Sequence, residues 1–122
     1  MFQTRRQAVL AAAAAVMAGP ALAYHGWRWT TEGEFELTGV ITAARLGNPH
    51  GLLTVQAEDE VWTVEVGQPW RNARAGLTDA MLAEGTEIVA LGHRSADPAL
   101  RVMKAERIVI AGTTYNLYPD RT

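Results

Sequence analysis

Glu34-Phe35-Glu36-Leu37-Thr38-Gly39-Val40-Ile41-Thr42-Ala43 alternates residue by residue between Phe35, Leu37, Gly39, Ile41 and Ala43 and a second set, Glu34, Glu36, Thr38, Val40 and Thr42. A period of two sustained over ten residues is the pattern of a strand with one face buried. Gly39 in its middle predicts a bend or the close approach of another backbone. Downstream, Gly47-Asn48-Pro49-His50-Gly51 is a dense turn signal, Leu52–Gln56 reads as a second strand, Glu58-Asp59-Glu60 as a polar hairpin turn, and Val61–Val66 as a third strand. The pattern then changes. Pro69 suits a first helical turn, Trp70, Ala73 and Leu77 follow at helical spacing, and Gly76 is a stop. Thr78 can cap a second short turn carrying Met81 and Leu82, ended by Gly85. Thr86–Gly92 is a fourth strand, Ser95-Ala96-Asp97-Pro98 a turn, Leu100–Ala111 holds a fifth strand, and Thr114–Tyr118 offers a further extended segment.

Three strands, a short helical segment and two strands give a mainly β chain in the order of an OB-fold. That fold is a small five-stranded barrel with the helical segment between strands three and four. Closure also removes the exposed sheet edges that a small open sheet would have to protect. A helix-bearing β-sandwich is the competing architecture. The expected core face carries Phe35, Leu37, Ile41, Val55, Val89 and Ile108. The barrel domain is assigned to residues 34–122. Residues 24–33, rich in aromatics, Gly and Thr and without a period, are assigned to an extended N-terminal arm.

Residues 1–23 have the parts of a cleavable signal peptide: Arg5-Arg6, an uncharged run from Ala8 to Ala18, Gly19-Pro20, and Ala21-Leu22-Ala23. The apolar run is well short of the ~20 residues needed to cross a bilayer. The expectation is cleavage between Ala23 and Tyr24, a periplasmic or secreted location, and no stable membrane insertion afterwards. Arg5-Arg6 also fits a twin-arginine signal, although Ala8 stands where that signal usually has a larger apolar residue, so both export routes stay open. Removing residues 1–23 takes away two arginines and no acid, so the formal charge of −2 becomes −4 on 99 residues. That balance carries no cationic excess to attract phosphates, and no nucleic-acid partner is expected.

With no cysteine among 122 residues, disulfides, thiolate metal sites and thiol nucleophiles are excluded. Ser95 is the only serine and lies in a turn, which gives a Ser/His/Asp hydrolase little to build on. The three histidines, His25, His50 and His93, fall in the arm or at strand ends, where loops on a rigid barrel can assemble a site. They read either as locally hydrogen-bonded side chains or as a metal site of nitrogen donors, for which copper or zinc is the expected ion. Trp27 and Trp29 share a face if the arm is extended, so they would plug one end of the barrel or line a groove for a small ligand. Arg71 and Arg74 read as solvated side chains.

Tyr24-His25-Gly26-Trp27, Phe35-Glu36-Leu37-Thr38-Gly39-Val40 and Gly47-Asn48-Pro49-His50-Gly51, with Arg71–Leu77 and Gly92-His93-Arg94, resemble a family of small exported bacterial proteins catalogued as domain of unknown function 6152. Its members often begin with two adjacent histidines, where this chain has Tyr24-His25. The resemblance implies export and an OB-like barrel and brings no activity with it. The function expected is a periplasmic binding module with a metal ion as its leading ligand. A three-histidine metalloenzyme ranks below it, since no dedicated general base flanks the histidines in sequence. A protein-interaction module built on the aromatic arm is the third class.

Overall fold

The computed structural model describes residues 26–121. Six strands run β1 (Phe35–Arg45), β2 (Leu52–Ala57), β3 (Glu60–Glu65), β4 (Glu87–Arg94), β5 (Val102–Ile110) and β6 (Thr113–Asn116). A short helix, α1 (Pro69–Arg74), and a 3-10 turn, Asp79–Leu82, stand between β3 and β4. The sheet order is β3-β2-β1-β4-β5-β6, and a further β3–β5 pairing closes the first five strands into a barrel. All neighbours are antiparallel except β3 and β5, which run parallel through only three registered pairs: Thr63 with Val102, Val64 with Met103 and Glu65 with Lys104. The other edge of β5 is fully engaged by β4, so β3 and β6 share one edge, β6 taking Arg107–Ile110. The mainly β barrel with its helical segment between strands three and four is the architecture that the element order predicts.

The core fills the barrel with Leu37, Ile41, Leu53, Val55, Trp62, Val64, Ile88, Ala90, Met103, Ala105 and Ile108, all buried. Two phase readings are corrected. The alternation of β1 holds to Ile41 and then fails, because its register against β2 shifts between Ile41 and Ala43 and leaves Ala43 exposed. An extra residue at such a bulge turns every later side chain to the other face. Val89 lies on the outer face, paired with exposed Thr38, while its neighbours Ile88 and Ala90 point inward. Ile88-Val89-Ala90-Leu91 is apolar throughout and carries no alternation from which the phase can be read. Gly39 meets its expectation, since a Cβ there would come within 2.5 Å of the Gln56 carbonyl oxygen.

In α1, Pro69 occupies the first turn and Gly76, at φ +89°, follows its end. The helix is fastened to the end of β3 by one buried side chain. Asn72 accepts from the Gly67 amide through Oδ1 and donates to the Gly67 carbonyl through Nδ2, both at 3.0 Å. Of the three apolar residues at helical spacing, Leu77 is buried, Ala73 is exposed and Trp70 is half exposed. Thr78 caps the 3-10 turn, its hydroxyl oxygen accepting from the Met81 amide at 3.3 Å. Thr78→Ala is expected to cost about 1 kcal/mol, the usual loss for such a cap, read as a lower urea midpoint at unchanged slope.

Candidate functional site

The outer face of the barrel at the β3–β5 seam carries charge where a small protein would ordinarily meet water. Glu65 on β3 is the registered partner of Lys104 on β5, and Lys104 is in turn the partner of His93 on β4. These side chains face away from the buried Val64, Met103 and Ala105, yet Glu65 and Lys104 are only 1% and 3% exposed. What buries them is chain from both ends of the domain.

The arm lies across β4. Thr30 bridges Ser95, the Thr31 amide donates to the Arg94 carbonyl at 3.0 Å, and the Ala96 amide donates to the Trp29 carbonyl at 2.9 Å. Residues 26–30 are not the extended segment expected of the arm. They form a turn, with the Thr30 amide on the Trp27 carbonyl at 3.1 Å and the Trp29 indole on the Gly26 carbonyl at 3.1 Å. The turn sets the Trp27 ring over the Lys104 ammonium at 4.5 Å and against the Arg121 guanidinium at 3.9 Å. Tyr118 and His93 meet the same ring edge-on, with centroids 5.1 and 5.6 Å away. Desolvated cations over an indole face are held more firmly than exposed ones. Lys104 Nζ donates to the Gly26 carbonyl at 3.0 Å and stands 3.4 Å from Glu65 Oε2.

His50 follows the Asn48-Pro49 peptide, which is cis. Its Nδ1 faces Glu65 Oε2 at 3.3 Å, a long contact between a half-buried ring and a fully buried carboxyl. His93 stands differently. Its Nδ1 is 2.9 Å from the Gly33 carbonyl and its Nε2 is 2.8 Å from Glu106 Oε2, so both ring nitrogens are engaged. Arg121 adds a 3.0 Å bond to the same Glu106 oxygen, which ties the arm, β4, β5 and the C-terminal segment together. Each described histidine thus has its own carboxylate. Among the described residues, no three of His, Cys, Asp and Glu are grouped to hold a metal ion. His25, and the Ala23–Tyr24 cleavage position, lie outside the described residues. Gly26, the residue bonded to His25, is the one whose carbonyl sits on Lys104.

The burial has electrostatic consequences. Removal from water pushes the Glu65 carboxyl up from 4.5 to about 7, with the Lys104 ammonium pulling it back. Burial likewise lowers the Lys104 ammonium, which Glu65 opposes and Arg71 and Arg121 reinforce. The Tyr118 phenol is raised by burial. Perturbed ionisable groups gathered under a cover are the arrangement that functional sites favour. At neutral pH Glu65 therefore stands near its midpoint, able to hold or release a proton beside His50.

Sequence reading placed His50 in a constrained turn but saw neither Glu65 nor Lys104. In sequence, Val64-Glu65 and Met103-Lys104-Ala105-Glu106 look like strands with a solvated charged face. The arm and the C-terminal segment over Lys104, with the His50 turn beside Glu65, convert that face into an interior.

A family model described as a family of unknown function, DUF6152, matches residues 11–102. No protein of the curated set matches the chain. Among solved structures, the barrel is similar to a chain of the Stn1-ten1 complex of S. pombe, with 15% identity, a TM-score of 0.51, and coverage of 66% of this chain and 59% of that one. A ZRD-deleted mutant of TiaS, solved in complex with agmatine, is similar at 13% identity and a TM-score of 0.49 over 69% of this chain and 26% of that one. The chain therefore spans less than two thirds of either structure it resembles. At such identity the first likeness establishes the OB-fold and nothing about ligands.

Proposed function

The chain belongs to the DUF6152 family, and from that premise we propose that it is an exported OB-like module that binds a metal ion, copper or zinc, at the arm-covered seam of its barrel. The observation that carries this reading is the chain of contacts from Gly26 through Lys104 and Glu65 to His50, at 3.0, 3.4 and 3.3 Å. It fixes residue 26 at the cluster, one peptide bond from His25. A carboxylate facing Nδ1 of a histidine is the arrangement that orients the ring and raises its basicity for a metal on Nε2. His50 and His25 are the ligands of this reading. His93, with both nitrogens engaged, holds the arm in place. Cleavage before Tyr24 would add a free amine next to His25, and an amine, an amide and an imidazole suit the tetragonal preference of Cu(II).

Titration of the exported protein with Cu(II) and Zn(II) tests this. One equivalent is expected to bind, weakening as pH falls through about 6.5, because a ligating imidazole must be unprotonated. His50→Ala should abolish binding or reduce it by more than tenfold. Glu65→Gln should weaken it about 10–100-fold, the usual effect of losing the group behind a ligating histidine. Equal affinity in the wild type and His50→Ala overturns the reading, and N-terminal sequencing that finds Met1 rather than Tyr24 on exported protein overturns the processing.

A further inference from the structure

We propose that the cleft between α1 and the C-terminal segment is a binding site for a small oxyanion, of carboxylate or phosphate type, that also carries a hydrogen-bond donor. The cleft is about 180 Å³ and is lined by Arg71, Arg74, Asn116 and Asp120 among others. It lies apart from His50 and shares no residue with the metal reading. Pockets for drug-sized ligands start at roughly 300 Å³, so this cleft suits a molecule of a few heavy atoms.

Arg71 is built into the cleft rather than waving in solvent. Its guanidinium is stacked over the Trp70 ring at 4.6 Å and over the Tyr118 ring at 4.2 Å, and its Nη1 donates to the Leu117 carbonyl at 3.1 Å. One of five N–H donors is used there, and the others keep a fixed plane. The helix beneath is itself pinned by the buried Asn72 pair to Gly67. A planar fork that has lost its rotational freedom is the form in which arginine recognises carboxylate or phosphate through paired bonds. Arg74, three residues on, shares the same side of the helix and opens on the same cleft.

Charge supports the assignment. Among the described residues, Arg101, Arg107 and Arg121 each have a carboxylate partner, while Arg71 and Arg74, like Arg28, Arg45 and Arg94, have none within 4.0 Å. Arg71 instead adds to the field that lowers the Lys104 ammonium. Two like charges three residues apart on one helix repel each other, and an anion between them relieves that repulsion. Asp120 on the cleft wall repels an anion with nothing to donate and accepts a hydrogen bond from one that has a hydroxyl. The lining thus selects a hydroxy acid or a protonated phosphate over a bare carboxylate.

Titration calorimetry of the exported protein at constant ionic strength, with lactate, inorganic phosphate and acetate as probes, tests the proposal. Lactate and phosphate are expected to bind saturably at one site, and acetate at least tenfold more weakly than lactate. Arg74→Gln should weaken lactate about tenfold while leaving the melting temperature unchanged, because Arg74 is exposed. Arg71→Lys keeps the charge and loses the fork, and should weaken lactate at least as much. If Arg71→Lys fails to fold, Arg74→Gln decides alone. Absence of saturable binding by the wild type, or the same constants in the wild type and Arg74→Gln, overturns the site.

Discussion

Gly92→Ala is expected to remove a large share of the protein's folding stability. A Cβ at position 92 would stand 2.1 Å from the Lys104 carbonyl oxygen, 2.9 Å from Ala105 Cα and 3.0 Å from the Glu106 amide nitrogen. All three are backbone atoms of β5, so no rotamer change can make room, and the strands must part. Gly92 sits where the β4–β5 register shifts, between Leu91 and Gly92, so the tight approach belongs to a bulge of the barrel wall. Losses above about 4–5 kcal/mol follow from such overpacking against backbone, against a total stability of about 5–15 kcal/mol for a domain of this kind. Gly33→Ala is the control, because a Cβ there meets no atom within 4 Å, and its effect should stay within about 0.5 kcal/mol. Far-UV circular dichroism with urea unfolding reads both. A Gly92→Ala protein that melts with the wild type would mean that β4 and β5 do not approach as described.

Lys104→Met should be the second large loss. Breaking a buried ion pair by removing one partner costs about 3–5 kcal/mol, because the charge left behind has lost both water and its counter-ion. Here the remaining carboxyl is Glu65, and the cost depends on pH in a direction that can be worked out. In the wild type the folded-state value of Glu65, about 7, lies above its ordinary 4.5. Its protonation therefore stabilises the fold fully below pH 4.5, and that contribution is lost as pH rises through 7. Without Lys104 the carboxyl takes up a proton still more readily, so the window moves to higher pH. Lys104→Met is expected to be most damaging at pH 8 to 9 and much less so near pH 5. Adding Glu65→Gln should recover most of the loss at pH 8, since no buried charge then remains. A destabilisation independent of pH, or no recovery in the double variant, would show that Lys104 acts through packing on Trp27 alone.

How far residues announce this molecule depends on whether their environment is set locally. The strand order, the Pro69 helix start, the Thr78 cap and the Gly39 approach are all legible because each follows from a few adjacent side chains. Ala43 and Val89 are misread for different reasons: a bulge resets the phase of β1 after Ile41, and the all-apolar centre of β4 carries no phase. The candidate site is mostly illegible. His50 is visible in its Asn-Pro turn, but its carboxylate lies fifteen positions on and looks like an ordinary outward residue of β3. Arg74 is exposed as its sequence suggests, whereas Arg71 looks solvated until Tyr118, almost fifty residues away, is found against it. Burial of an outward-facing charge is decided by whichever remote segment comes to lie on it, and periodicity within a strand holds no information about that.

The parallel seam gives the molecule a preferred place to breathe. β3 and β5 meet through three registered pairs, while β1 and β4 share six. Local opening follows the free energy of the contacts that must be broken, so the barrel's first excursion is a parting at Thr63–Glu65 rather than the loss of a whole strand. That excursion carries Glu65 away from Lys104 and loosens the hold on the arm at Gly26. Amide exchange at Thr63, whose N–H bonds the Arg101 carbonyl at 2.9 Å, therefore reports on the seam and the cluster outside it in one signal. A ligand held at the cluster as proposed would tighten the hoop, and the time for which the hoop stays shut would then set that ligand's shortest residence.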